Sequence, residues 1–460
     1  MTSLSQKLIS NWSRLGTRFL PFADAATPDV PLSRLLRLSL FQVSVGMALV
    51  MLVGTLNRVL IVELKVPAYL VSMMISIPLI FAPFRALIGF KSDTHRSALG
   101  WKRVPYIWMG TLVQFGGFAM MPFGLLVLSG AGQASNAPQW IGQLGAGIAF
   151  LFVGAGLHTT QTVGLALAND LVPPESQPKV VGLMYVMLLV GMICSSIIFG
   201  ALLSDFSPGR LIQVIQGAAM VTIILNVIAL WKQEARRPAH LYPEPPKGKT
   251  FKESWNVFLE GNYATRRLIA VGIGTMAFSM ADVLLEPYGG EILKLSVSQT
   301  TSLTAALAVG GLVGFGWASH ILSKGADPFK MASIGALVGI PAYLAVILSG
   351  QLGEPLLFAL GTLFVGFGAG LFGHGTLTAT MNLAPEGQSG LALGAWGAVQ
   401  ASAAGIAIAI GGILRDVVAS RTNSSMFGYC SVYIVEISML IMTIVAMLPL
   451  IKARSISKMK

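Results

Sequence analysis

The feature that most restricts this chain is a succession of apolar runs, each long enough to cross a bilayer and each ended by a polar gap. A helix needs roughly 20 apolar residues to span the hydrocarbon core. Such runs are read at 35–60, 68–90, 104–128, 140–168, 179–204 and 209–231, then at 265–288, 300–322, 330–349, 355–382, 389–413 and 427–450. Charged residues make up 11% of the chain, against about 25% in an average soluble domain. The fold class is therefore an all-α integral membrane protein of twelve transmembrane helices. Residues 1–34 read as an amphipathic N-terminal segment, 35–231 as one six-helix bundle and 232–264 as a polar linker. Residues 265–450 read as a second bundle and 451–460 as a basic tail. No signal-peptide pattern precedes the first run near Leu38, so that run is expected to stay in the mature protein.

The net charge of +12 is distributed by side. With both termini cytoplasmic, that face receives Arg34 and Arg37, Lys91 to Arg103, the linker cations, Lys324, Lys330 and the tail. The opposite face receives Arg58, Lys65, Arg210, Lys294, Arg415 and Arg421. Cytoplasmic loops of membrane proteins carry the excess of Lys and Arg, which sets the orientation and supports an even number of spans. Nucleic acid is not an expected partner, because the cations flank spans instead of forming one solvated face. Cys194 and Cys430 lie far apart in apolar runs and read as unpaired core thiols. No nucleophile–base pair, metal-binding cysteine cluster or phosphate-binding glycine loop stands out, so no enzyme is expected.

The two halves echo each other. "LFVGAGLHTTQTVGLALANDLVPPESQ" from Leu151 resembles "LFVGFGAGLFGHGTLTATMNLAPEGQ" from Leu363, and "GTLNRVL" at Gly54 sits where "FSMADVL" at Phe278 does. Paired six-helix bundles are the architecture of major facilitator transporters, with a central cavity between the halves. The loop after the second run then reads as a cytoplasmic gate loop built from Arg85, Gly89, Asp93, Gly100, Lys102 and Arg103. Its aspartate is expected to pair with an arginine or a helix N-terminus. The alternative is that these charges only set topology.

Two segments are more specific than the fold. "RALIGFKSDTHRSALGWKRVPYIWMGTLVQFGG" at Arg85 and "GTMAFSMADVLLEPYGGEILKLSVSQTT" at Gly274, with its unusual Leu285–Gly290 run, resemble the PucC/LhaA family of photosynthetic bacteria. The resemblance implies a role in assembling light-harvesting antenna complexes in a bacterial inner or photosynthetic membrane. It also implies bacteriochlorophyll as a ligand, and antenna polypeptides and pigment-synthesis proteins as partners. The runner-up is a secondary transporter moving a small amphipathic solute by alternating access.

Four further expectations concern single residues. Asp282 and Glu286 share one helical face, and Arg58 occupies the position equivalent to Asp282. An Arg58–Asp282 or Arg58–Glu286 pair is expected to close the outer end. Since a pigment magnesium takes an axial imidazole, His374, among Gly370, Gly373 and Gly375, and His158 are ligand candidates; each could instead be a hydrogen-bonded core histidine. Glu436, mid-span in the last run, reads as facing a partner helix or as paired within the chain. Finally, Leu4, Leu8, Trp12, Leu15 and Phe19 share a face in the N-terminal segment, with Ser3 and Gln6 as a capping box, which fits an interfacial helix.

Overall fold

The computed structural model describes residues 30–80, 85, 88, 91–92, 97, 100–130, 136–173, 176–235, 264–382 and 389–459. The N-terminal amphipathic helix expected over residues 4–19 and most of the linker lie outside the described residues, as do Gly89 and Asp93. Among the described residues, ten helices are individually long and apolar enough to cross a membrane. In the first half they are span one (Leu32–Glu63), three (Val104–Ser129), four (Gln139–Asp170), five (Gln177–Leu202) and six (Pro208–Leu230). In the second half they are span eight (Val297–Ser323), nine (Pro328–Leu352), ten (Pro355–Asn382), eleven (Ser389–Thr422) and twelve (Ser425–Met459). Span two begins as a shorter apolar helix, Ala68–Ile80.

Span seven departs from expectation. In place of a continuous helix over 265–288 there are two pieces, Ala264–Ser279 and Leu285–Glu291, separated by irregular backbone at Met280–Leu284. Span one is also irregular where it passes this break, with wide π-type turns over Val50–Leu56 and Val59–Glu63. Span twelve runs on to Met459 through the segment read as a tail.

Local chemistry sets the helix ends. Ser296 and Gln299 form a capping box at the start of span eight, and Asp327 accepts from the amides of Phe329 and Lys330 at the start of span nine. Each such cap satisfies donors that a helix start leaves open. The pieces that end at Glu63 and Glu291 close alike. Lys65 and Lys294 both take left-handed backbone, φ 54° and 58°, and the next amides, Val66 and Leu295, reach back to Leu60 O at 2.8 Å and Gly289 O at 3.0 Å. This shared ending marks spans one and seven as equivalents.

Packing follows the duplication. Span three lies along four, and nine along ten; between the halves, span two packs on eleven and five on eight. Exchanging the halves turns the first of these cross-pairs into the second. Large apolar side chains such as Phe123, Leu356 and Phe427 are exposed on the outside, a surface that lipid covers. Cys430 is buried, but Cys194 is exposed, so only one of the two is a core thiol; the other lines a groove with residues of spans one and six.

Candidate functional site

Broken backbone inside a membrane has to be satisfied by the protein itself, because lipid offers no hydrogen bonds. At the break in span seven, two polar side chains from different spans do this. Glu436 of span twelve accepts from the Ala281 amide at 2.7 Å, and Asn57 of span one donates to the Val283 carbonyl at 2.5 Å. Tyr343 of span nine places its hydroxyl 3.3 Å from Glu436 and from the Ala277 and Phe278 carbonyls. Glu436 is fully buried. It therefore does not face a partner helix; its carboxylate is turned inward by the amide that the break exposes.

The Leu285–Gly290 run is the short helix beyond the break, and its residues divide the work. Glu286 accepts from the Thr304 hydroxyl and lies against Gly54 of span one, where a Cβ would also come within 3.1 Å of Thr304 Oγ1. Tyr288 donates to Val346 O at 3.1 Å and meets the rings of Tyr429 and Tyr433 edge-on, both at 5.4 Å. Gly290 leaves room for Arg58, since a Cβ there would stand 2.9 Å from Nε of the guanidinium. Buried Arg58 pairs with Glu63, which is 40% exposed, and donates to Leu295 O at 3.0 Å. The expected partners are thus brought close without the expected salt bridge: Arg58 is tied to Glu63 and to the backbone after span seven, while Glu286 is held by Thr304. Glu291, which the sequence reading did not single out, closes the same end by accepting from Arg415 and Ser425, both at 2.5 Å, and Tyr429 at 2.8 Å. Across the halves, the Tyr69 amide donates to Asp416 at 2.8 Å.

Between the halves lies a cavity of about 250 Å³. Its walls are apolar apart from Tyr185, Asp282, Trp396 and Gln400 among the described residues. Pockets for drug-sized ligands run from about 300 to 1,000 Å³, so a flat macrocycle is too large for this space as it stands. Of the three glycines around His374, Gly370 and Gly373 line the cavity, but only Gly373 has open space where a Cβ would stand. A Cβ at Gly370 would run into the backbone of span eight, and one at Gly375 would lie 2.8 Å from Ala332 N of span nine. The Phe315 ring lies 4.3 Å from the His374 imidazole. His158 sits on span four near Arg85. Both histidines are buried, with the His374 imidazole against the Phe315 ring. The glycine assignment is testable: Gly370→Ala should cost about 1–3 kcal/mol by overpacking, while Gly373→Ala should leave the melting temperature of the purified protein unchanged or raise it.

At the basic end, the gate-loop residues are tied to their own half. Arg103 Nε pairs with Asp170 at 2.9 Å and Nη1 donates to Ser92 at 2.6 Å, while Lys102 Nζ lies 3.8 Å from Asp170. Glu234, just after span six, accepts from the amides of Lys102 at 2.7 Å and Val104 at 2.9 Å, so it caps span three where a side-chain anion is favoured. Gly100 turns the chain into this cap with φ 80°, a left-handed backbone that glycine adopts without strain. Arg85 lies inside the spans, bonded to span four through Gln161 and Thr162, both at 3.0 Å.

A family model described as "PUCC protein" matches residues 55–455. A "Protein PucC" of Rhodovulum sulfidophilum is 61% identical over 430 residues, 92% of this chain and 94% of that protein. Another "Protein PucC", from Cereibacter sphaeroides, is 56% identical over 98% of both chains. Among solved structures, the POT family transporter PepTSo superposes with a TM-score of 0.65 at 11% identity, covering 93% of this chain and 99% of that one. This last likeness shows the fold alone: paired six-helix bundles of the major facilitator type.

Proposed function

The chain belongs to the PUCC protein family, and on that premise we propose that it is a membrane assembly factor for bacterial light-harvesting antenna complexes. In this reading both termini lie on the cytoplasmic side and antenna polypeptides are the partners. The observation that carries it is the match to one family over almost the whole chain, which takes in both segments that first pointed there. The cavity adds a constraint on mechanism. At about 250 Å³ and with two of three glycines near His374 used in helix packing, it favours handling of antenna helices and their pigment from the lipid-facing surface over enclosure of a pigment between the halves. The orientation is supported by the charge distribution, because Lys102, Arg103, Arg266, Arg267, Lys324 and Lys330 fall at one end of the bundle.

The transporter reading draws on a separate observation. The end opposite the basic loops is bridged by the Tyr69–Asp416 bond and by Arg58 reaching Leu295, as a two-sided gate requires. One preparation separates the two. Affinity-purified protein from its own membrane should bring antenna polypeptides and bacteriochlorophyll absorption with it. A colourless, solitary protein that drives solute uptake into vesicles would replace assembly with transport.

A further inference from the structure

We infer that Arg85 binds the anionic head group of an amphipathic ligand whose apolar body occupies the central cavity. Arg85 Nε donates to Thr162 Oγ1 and Nη2 to Gln161 Oε1, both at 3.0 Å. Both acceptors are neutral, no carboxylate is within ion-pairing distance among the described residues, and Nη1 is left over. Gln161 lies about 13 Å of helix rise inside the Asp170 end of span four. A cation held at that depth by two bonds to a neighbouring helix cannot extend to the membrane surface as a free lysine or arginine does. Charges within spans are costly and mark ligand or ion paths.

The surroundings give the ligand its chemistry. Arg85 is close enough to Tyr185 and His158 for their charges to interact. Tyr185 is a wall of the central cavity, and the buried His158 Nδ1 has no hydrogen-bond partner. Cation and imidazole thus stand together behind Tyr185, on the first-half side of an apolar chamber. The chamber's only acid among the described residues, Asp282, is on span seven of the other half. An anion is attracted to the Arg85 side, which orients the molecule. Carboxylate and phosphate both suit a guanidinium, and the apolar walls call for an alkyl or other hydrocarbon body.

The test is competition for radiolabelled decanoate on the purified, detergent-solubilised full chain, with unlabelled decanoate, decyl phosphate and methyl decanoate as competitors. The acids should compete at least about tenfold better than the ester, the order expected for one charge-assisted hydrogen bond. Whichever acid competes better identifies the head group. Arg85→Gln should abolish the preference, and Arg85→Lys should retain part of it. Gly373→Phe, which fills the cavity from span ten, should remove binding of all three. Equal competition by the ester, a preference that survives Arg85→Gln, or binding unaffected by Gly373→Phe would each overturn the inference. If Arg85→Gln fails to fold, the acid–ester comparison and Gly373→Phe still decide. The inference goes beyond the assembly role and uses the chain alone, so its failure leaves that role standing.

Discussion

Glu436→Leu is expected to melt well below the unsubstituted chain, whereas Glu436→Gln should melt close to it. The difference follows from what the carboxylate does. One oxygen takes the Ala281 amide at 2.7 Å; the other has no hydrogen-bond partner. Glutamine can present its carbonyl oxygen to the same amide. Leucine removes the acceptor entirely. An amide left unsatisfied in a buried site costs about 1–3 kcal/mol, and the Tyr343 hydroxyl loses its contact with the carboxylate as well. Together these amount to about 3 kcal/mol, a large share of a typical total of about 5–15 kcal/mol. Size-exclusion thermostability of the purified variants reads the result. Equal melting of the leucine and glutamine variants would show that the break in span seven does not depend on Glu436.

Most of the spans were legible because their signal is local: about 20 apolar residues in a row, with basic residues biased to alternate gaps. The break in span seven was not. Met280–Leu284 is as apolar as its flanks except for Asp282, and the groups that make a break tolerable, Asn57 and Glu436, come from spans one and twelve. Glu436 was open to misreading for the same reason, since a lone acid in a peripheral span gives no sign of which way it points. The Leu285–Gly290 run stood out as unusual, but the separate duties of Glu286, Tyr288 and Gly290 depend on Thr304, Val346 and Arg58, which lie elsewhere in the chain. Glu234 carried a faint signal, as an acid among the basic residues that follow span six. Its use as a cap on span three required knowing that those two helices pack side by side.

Replacing Arg58 by alanine is expected to cost about 2–3 kcal/mol, and the way that cost combines with a second substitution identifies the partner. Arg58 is 3% exposed, while the Glu63 side chain is 40% exposed. Losing Arg58 therefore frees a carboxylate that water can reach, but leaves the Leu295 carbonyl without its donor and opens space beside Gly290. Losing Glu63 instead strands a buried cation, which should cost about 3 kcal/mol. The double substitution Arg58→Ala with Glu63→Ala should be much less damaging than the two losses added, because an alanine at 58 no longer needs a counter-ion. Arg58→Ala with Asp282→Asn should be additive within about 0.5 kcal/mol, since no bond joins Arg58 to Asp282 and that carboxylate faces the central cavity. Denaturation of the purified variants in increasing dodecyl sulfate gives both cycles. Strong coupling to Asp282 and none to Glu63 would mean that this end of the molecule is held by a direct tie from span one to the break in span seven.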